Sequence, residues 1–235
     1  MKITKTLLGR MNSLNTRRSL VKSGDRILIA LSGGPDSVAL AHLLCLWKRK
    51  YRLTLAAAHV HHGLSGQNDR ALRLARSTAQ KLNLPFYAKK IRVRSFAKRR
   101  KLSLEEAGRE ARYAFFASLS RRLRMNKVAT GHTRDDQAET VLMWVIRGCG
   151  LRGLSGIPPK RALGRAEVVR PLLDCSKEEL ALFLKESRIS FQTDRSNRSA
   201  RFTRNRVRHE LLPWIEKNLN PSIRQTLAVL AERVR

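Results

Sequence analysis

The apolar run Arg26–Leu31 (RILIAL) passes without a spacer into Ser32-Gly33-Gly34-Pro35-Asp36-Ser37. The residues that follow, Val38, Leu40, Leu43, Leu44 and Trp47, have helical spacing. A buried strand therefore turns through two glycines into a helix. Glycine accepts positive φ and lets the backbone approach a ligand closely, and proline suits the first helical position. Junctions of this kind lie at the carboxyl ends of strands in open α/β sheets, where ligands bind.

The rest of the chain repeats the alternation. Strands are predicted at Leu53–Val60, Pro85–Val93, Lys127–Thr130 and Val168–Arg170, and helices at Asp36–Trp47, Asn68–Leu82, Ser103–Leu123, Arg134–Arg147, Lys177–Glu186 and Ser222–Val234. Ser103 and Glu106 form an S-x-x-E capping box at the start of the longest helix. The expected fold class is α/β: a doubly wound, mostly parallel sheet with helices on both faces. The segments Ser32–Ser37, His59–Gly63 and Gly131–Asp136 all follow strands, so they are the places to look for chemistry.

Lysine and arginine number 49 against 18 aspartates and glutamates, a formal net charge of +31 over 235 residues. Small acidic metabolites do not require that excess, whereas a phosphate backbone accounts for it. No apolar run approaches the ~18 residues of a membrane span, so no membrane role is expected. Residues 1–24 hold no acid and carry Lys2, Lys5, Arg10, Arg17, Arg18 and Lys22. That is also the composition of a transit peptide, but a basic first helix packed on the domain is the expectation. Cys45, Cys149 and Cys175 are scattered, with no C-x-x-C, which fits a reducing cytoplasm and opposes a zinc ribbon or iron–sulfur cluster. Cys45 falls in an apolar helical pattern and reads as core. His59, His61 and His62 lack metal-ligand spacing and alternate sides along a strand end.

The loop itself reads as a phosphate cradle. Helix N-terminal N–H groups, glycine backbone and the hydroxyls of Ser32 and Ser37 all favour an anion. Asp36 suits a polyphosphate only with a cation between them, which makes it a candidate magnesium ligand. The loop is neither a Walker A sequence nor a G-x-G-x-x-G fingerprint.

S-G-G-x-D-S resembles the PP-loop of the N-type ATP pyrophosphatases, which cleave ATP between the α and β phosphates. The adenine nucleotide alpha hydrolase type of Rossmann-like fold is what that resemblance implies. Four further segments narrow it: His59–Leu64 (HVHHGL), Glu105–Tyr113 (EEAGREARY), Ala129–Thr140 (ATGHTRDDQAET) running on to Arg147–Leu154 (RGCGLRGL), and Asp194–Asn197 (DRSN) followed by Arg204–His209 (RNRVRH). In order and spacing these resemble the tRNA(Ile)-lysidine synthetase family over about residues 20–220.

The resemblance implies ATP and Mg2+ as cofactors, L-lysine and an isoleucine tRNA with a CAU anticodon as partners, and a two-step ligation at the wobble cytidine. It also implies the site. Ser32, Gly33, Gly34, Pro35, Asp36 and Ser37 would bind ATP, with Asp36 as the metal ligand. Asp36, His132, Asp136, Arg112 and Arg206 would form the catalytic group, Arg206 being taken in preference to Arg204 or Arg208. Asp135 and Asp136 also suit a helix start on dipole grounds alone. Residues 1–215 are expected to form the catalytic domain with a basic surface, and 216–235 a short helical extension. Relatives often carry another ~100–200 residues and often pair as homodimers.

Two basic stretches complete the reading. Lys89–Lys101 contains eight basic residues and no acid. Arg195, Arg198, Arg201 and Arg204 recur every third residue, with Arg206 and Arg208 following. Arg99, Arg100, Arg195, Arg198, Arg201, Arg204 and Arg208 are expected to contact the tRNA backbone, which positions an RNA without reading its sequence.

Overall fold

The computed structural model describes residues 2–61, 63, 66–192 and 203–235. Its centre is a six-stranded sheet in the order β3-β2-β1-β4-β6-β5. The strands are β1 (Arg26–Ala30), β2 (Thr54–His61), β3 (Phe86–Lys90), β4 (Lys127–Ala129), β5 (Lys160–Leu163) and β6 (Ala166–Val169). All neighbours pair in parallel except β5, which runs antiparallel to β6. The chain winds outward from β1 to β3, then crosses back to place β4 on the other side of β1. The reversal falls between β1 and β4, and the crevice at their carboxyl ends is the binding position of such sheets.

Alternation along β1 builds two cores. Ile27 and Ile29 face one side, with α1 (Lys2–Arg18), α2 (Pro35–Lys50) and α8 (Lys177–Glu186). Leu28 faces the other, with Tyr113, Phe116 and Leu119 of α5 (Leu104–Arg122). Helices thus cover both faces, as a parallel sheet requires. The basic N-terminal segment is helical: α1 buries Ile3, Leu7, Met11 and Leu14 at helical spacing and leaves its cations outside. Ser103 and Glu106 make the expected capping box on α5.

Several elements depart from the sequence expectation. The third strand ends at Lys90, and the chain re-enters a helix, α4 (Val93–Arg100). Val93 and Ala97, four apart, bury against Ala107 of α5, a helical signal hidden among basic residues. The edge strand β5 has no counterpart among the expected strands; a tight turn at Gly164 (φ +59°) pairs Leu163 with Ala166 and folds it onto β6. Cys45 is only partly buried against the core, whereas Cys175 is fully buried.

Beyond the sheet, α3 (Gly66–Lys81) joins β2 to β3, and α6 (Arg134–Ile146) and α7 (Leu151–Leu154) link β4 to β5. The helix α9 (Thr203–Arg206) continues through a π-helical turn (Val207–Leu211) into α10 (Leu212–Asn218). The last helix, α11 (Ile223–Val234), buries Leu227 and Ala231 with Ala138 and Val141 of α6. It therefore shares a core with the helix that carries the candidate carboxylates. Among the described residues no helix is long and apolar enough to cross a membrane.

Candidate functional site

The site is built where β1 and β4 end. After β1 the chain tightens at Gly33, whose φ is +88° and where a Cβ would stand 2.8 Å from the carbonyl oxygen of Ala71. The Ser37 hydroxyl donates to the Gly34 carbonyl at 2.9 Å and accepts from the Ser32 N–H at 3.1 Å. The Ser32 hydroxyl lies 3.0 Å from it. Gly34 caps α2 without a side chain, and Pro35 opens the helix. The backbone N–H groups at that end thus have no side-chain cap competing with a ligand anion.

The segment after β4 lies against this loop. At Gly131 a Cβ would meet the Asp36 carbonyl carbon and oxygen at 3.0 Å and the Ser37 nitrogen at 3.2 Å. A side chain at Gly131 would require the first turn of α2 to give by a few tenths of an ångström. The approach brings Asp36 and Asp136 into electrostatic contact. Burial, then the Asp136 charge, pushes the Asp36 carboxyl up to about 7 despite Lys177 and Arg208.

Asp136 divides its two oxygens between structure and site. Oδ2 accepts from the Thr133 N–H and hydroxyl, both at 2.9 Å, completing a capping box at the start of α6. Oδ1 faces three cations: Lys177 Nζ at 3.0 Å, and Arg204 and Arg208 each at 3.4 Å. Burial opposes its ionisation, but Lys177 and Arg204, with the Thr133 N–H, hold this carboxyl below the usual range. The helix-start reading of Asp136 is realised on Oδ2, while Oδ1 is turned to the cations of the crevice.

Glu139, absent from the residues expected in the site, lies one turn further along α6 and is fully buried. Its oxygens take Arg208 Nε at 2.6 Å, Arg204 Nε at 2.8 Å and Lys177 Nζ at 3.3 Å. Its signal in the sequence is the i, i+3 spacing from Asp136, which places both carboxylates on one helical face. Lys177 is a second unexpected member. Burial would lower its ammonium, but Asp136 and Glu139 raise it above the ordinary value. Nothing local marks it, because a cation in the first turn of a helix opposes the dipole. By contrast, Asp135 serves structure: it accepts the Lys177 N–H at 2.8 Å and pairs with Arg224 at 3.4 Å.

The arginines redistribute relative to expectation. Arg204 and Arg208, expected on RNA, point inward onto Asp136 and Glu139. Arg206, expected in the catalytic group, is 67% exposed and lies 3.6 Å from Glu210. Helical spacing explains the exchange: 204 and 208 share a face, and 206 lies on the opposite one. Arg195, Arg198 and Arg201, with the Asp194–Asn197 segment, His62 and Leu64, lie outside the described residues. Arg99 and Arg100 are exposed on α4, each 5.8 Å from the Phe96 ring centroid.

His132 follows β4, its Nδ1 2.9 Å from the Thr130 hydroxyl. Burial, reinforced by Arg170, Arg204 and Arg112 and opposed by Asp136, depresses the imidazole to about 3. It is neutral near pH 7. Arg112 rests on Tyr113, 5.6 Å from the ring centroid, close enough to bear on His132. Asp36, Asp136 and His132 thus converge, Arg112 stands beside them, and Arg206 does not join.

A nucleotide-loop domain of the doubly wound class is what this fold and crevice define. The PP-loop domain model matches residues 5–215, and the chain belongs to that family. It is 40% identical over 227 residues to the tRNA(Ile)-lysidine synthase of Geobacter sulfurreducens, covering 96% of this chain and 47% of that protein. It is 37% identical over 219 residues to the enzyme of the same name from Clostridium acetobutylicum, covering 93% and 47%. The chain spans about half the length of these curated relatives. Among solved structures, the U34-tRNA thiolase NcsA of Methanococcus maripaludis shares the fold, with a TM-score of 0.78 and 18% identity over 99% of this chain and 78% of that one. The NH3-dependent NAD synthetase of Campylobacter jejuni shares it more loosely, with a TM-score of 0.53 and 17% identity over 99% and 93%.

Proposed function

We propose that the chain uses ATP to join lysine to the wobble cytidine of an isoleucine tRNA with a CAU anticodon. The observation that carries this reading is the pair of buried carboxylates, Asp136 and Glu139, already holding an alkylammonium beside the Ser32–Ser37 loop. That ammonium is the chain's own Lys177, and a paired-carboxylate face that accepts a cation next to a phosphate cradle suits a reaction between ATP and an amine. The similarity to lysidine synthases supports the same substrates.

In this reading the cytosine carbonyl oxygen attacks the α-phosphate of ATP, and pyrophosphate leaves. The lysine ε-amine then attacks the ring carbon that bears the adenylated oxygen, and the carbon–oxygen bond breaks as AMP leaves with that oxygen. The loop amides and hydroxyls hold phosphate oxygens, and the cluster of Lys177, Arg204 and Arg208 on the two carboxylates Asp136 and Glu139 leaves one positive charge in excess to offset charge as it develops. Asp136 and Glu139 orient the incoming ammonium, and a carboxylate takes the proton that the amine gives up. Neutral His132 acts through hydrogen bonding rather than as a cation.

Mg2+ fits here as a companion of ATP rather than as a resident ion. Among the described residues no cluster of three or more His, Cys, Asp and Glu side chains forms a metal cage. Mg2+ ordinarily takes one or two carboxylates and completes its shell with phosphate oxygens and water. Asp36, with its carboxyl raised by burial and by Asp136, is where a cation relieves both penalties. When bound, the ion would offset charge on the phosphates.

The test is pyrophosphate and AMP release from ATP by the purified chain with a CAU-anticodon isoleucine tRNA transcript, with and without lysine. Pyrophosphate release that needs the tRNA, with AMP release that needs lysine, is the expected result. RNA binding without pyrophosphate release at any lysine concentration overturns the reading for this chain.

A further inference from the structure

A cavity of about 410 Å³ opens beside His132, between α5, α6 and the β5–β6 hairpin. Arg109, Arg161 and Arg170 line it, and among the described residues no aspartate or glutamate does. These guanidiniums are crowded. Arg161 lies 4.2 Å from the Tyr113 ring centroid, Arg109 5.7 Å, and Arg112 on the adjacent helical turn 5.6 Å. Arg170 is only 2% exposed. The Nε atoms of Arg161 and Arg170 are buried without a hydrogen-bond partner among the described residues.

Arg170 donates Nη1–H to the Pro158 carbonyl, and Arg161 and Arg170 hydrogen-bond the Tyr113 phenol. These are neutral partners, and like charges gathered out of water with both Nε donors unpaired still call for an anion. The surroundings register that need. Burial, with Arg161 and Arg109 as neighbours, lowers Arg170 to about 10. Burial also opposes ionisation of the Tyr113 phenol, yet Arg161, Arg170 and Arg112 hold it below the ordinary phenol value. Positive potential therefore converges on the Arg109, Arg161 and Arg170 side of the cavity, while the carboxylates Asp136 and Glu139 towards its other side are taken up by Lys177, Arg204 and Arg208. Arg204 and Arg208 are different, because Glu139 and Asp136 already neutralise them.

We propose that Arg109, Arg161 and Arg170 form a seat for one backbone phosphate of the RNA substrate, adjacent to the nucleotide whose base enters beside His132. This rests on the preceding reading in taking the ligand as RNA. The planar guanidiniums of Arg161 and Arg170, each with an unpartnered Nε–H among the described residues, match a phosphodiester in forked hydrogen bonds, and Arg109 adds a third charge. Two observations favour RNA over the ATP polyphosphate. No residue of the Ser32–Ser37 loop lines the cavity. Trp144 stands on its wall, 43% exposed and backed by Arg147 at 5.9 Å, a stacking surface for a base. The three arginines are positioning residues: they fix where the chain of the RNA passes, and so where its base sits relative to Asp36 and Asp136.

The test is a cycle between protein and RNA charge. A CAU anticodon stem-loop carries a neutral methylphosphonate at the linkage 5′ or 3′ of the target cytidine. Its affinity for the unsubstituted chain, R109Q and R161Q is measured by fluorescence anisotropy, with each variant's thermal midpoint as a folding control. For one of the two linkages, each single change is expected to weaken binding about tenfold. Combining R161Q with that linkage should add little more. Fully additive penalties at both linkages overturn the proposal, as does an ATP KM raised by R109Q and R161Q while RNA affinity is unchanged. Coupling in a chain that releases no lysine-dependent AMP upholds the seat and removes the lysine reading. Lysine-dependent AMP release with additive penalties does the reverse.

Discussion

Placing Lys177 in the first turn of α8 sets a cation against the positive end of a helix, a local cost that Asp136 and Glu139 offset across the crevice. His132 illustrates the opposite balance, a basic group kept neutral by burial among arginines. That neutrality has a consequence for stability. In the unfolded chain the imidazole takes up a proton below about 6.5; in the folded chain it does so only near 3. Between those values the unfolded state binds more protons, so stability falls as the pH falls, by at most about 1.4 kcal/mol per pH unit from this residue. Asp136, whose carboxyl is depressed, contributes stability that is lost only below the ordinary carboxylate range. In the window from about pH 6.5 down to about 4.5 Asp136 is silent. Asp36, raised to about 7, takes up its proton in the folded state first and works in the opposite direction, so the imidazole is read from the comparison with a variant rather than from the bare slope. Urea midpoints taken at both ends should drop further for the natural chain than for His132→Gln. Parallel drops would mean that the imidazole titrates normally.

Contact between α2 and the start of α6 depends on Gly131, since any Cβ there meets backbone of Asp36 and Ser37 rather than a yielding side chain. Gly131→Ala should push the α6 start away from the loop and separate Asp36 from Asp136. A stability loss of about 1–3 kcal/mol is expected from such overpacking, with a larger effect on function: tRNA-dependent pyrophosphate release should fall at least tenfold with the fold intact by circular dichroism. Unchanged release would show that the close approach is dispensable. Elements of this kind are legible in the sequence because their signals are local. RILIAL, the glycine loop, the Ser103 cap and the apolar spacing of α1 each specify their own conformation. What escapes a linear reading is relational. β5 is strand only because it pairs with β6, and α4 is helix only because Val93 and Ala97 meet Ala107. In the site, Asp136 and His132 can be placed by their position after β4, but Glu139 and Lys177 acquire meaning only across the crevice. Arg206 differs from Arg204 and Arg208 only in helical phase, which turns it outward.

The +31 charge of the whole molecule is not distributed for a single purpose. Arg204 and Arg208 are neutralised by Asp136 and Glu139, and Arg109, Arg161 and Arg170 gather around one cavity. The exposed end of α4 carries no acid of its own: Lys98, Arg99, Arg100 and Lys101 stand in water, Arg99 and Arg100 over the Phe96 ring. Exposed cations like these bind phosphates through counterion release, which makes affinity fall with salt in proportion to the number of phosphates neutralised. Substituting both Arg99 and Arg100 by Gln should weaken binding of the tRNA transcript. The log–log salt dependence should flatten by about 0.7–0.9 for each phosphate that is no longer neutralised. Binding measured between about 50 and 200 mM salt, a range set by the sensitivity of such interactions, decides between a nucleic-acid face and a merely solvated one. An unaltered slope would remove α4 from the RNA footprint and leave the charge near the crevice to account for the affinity.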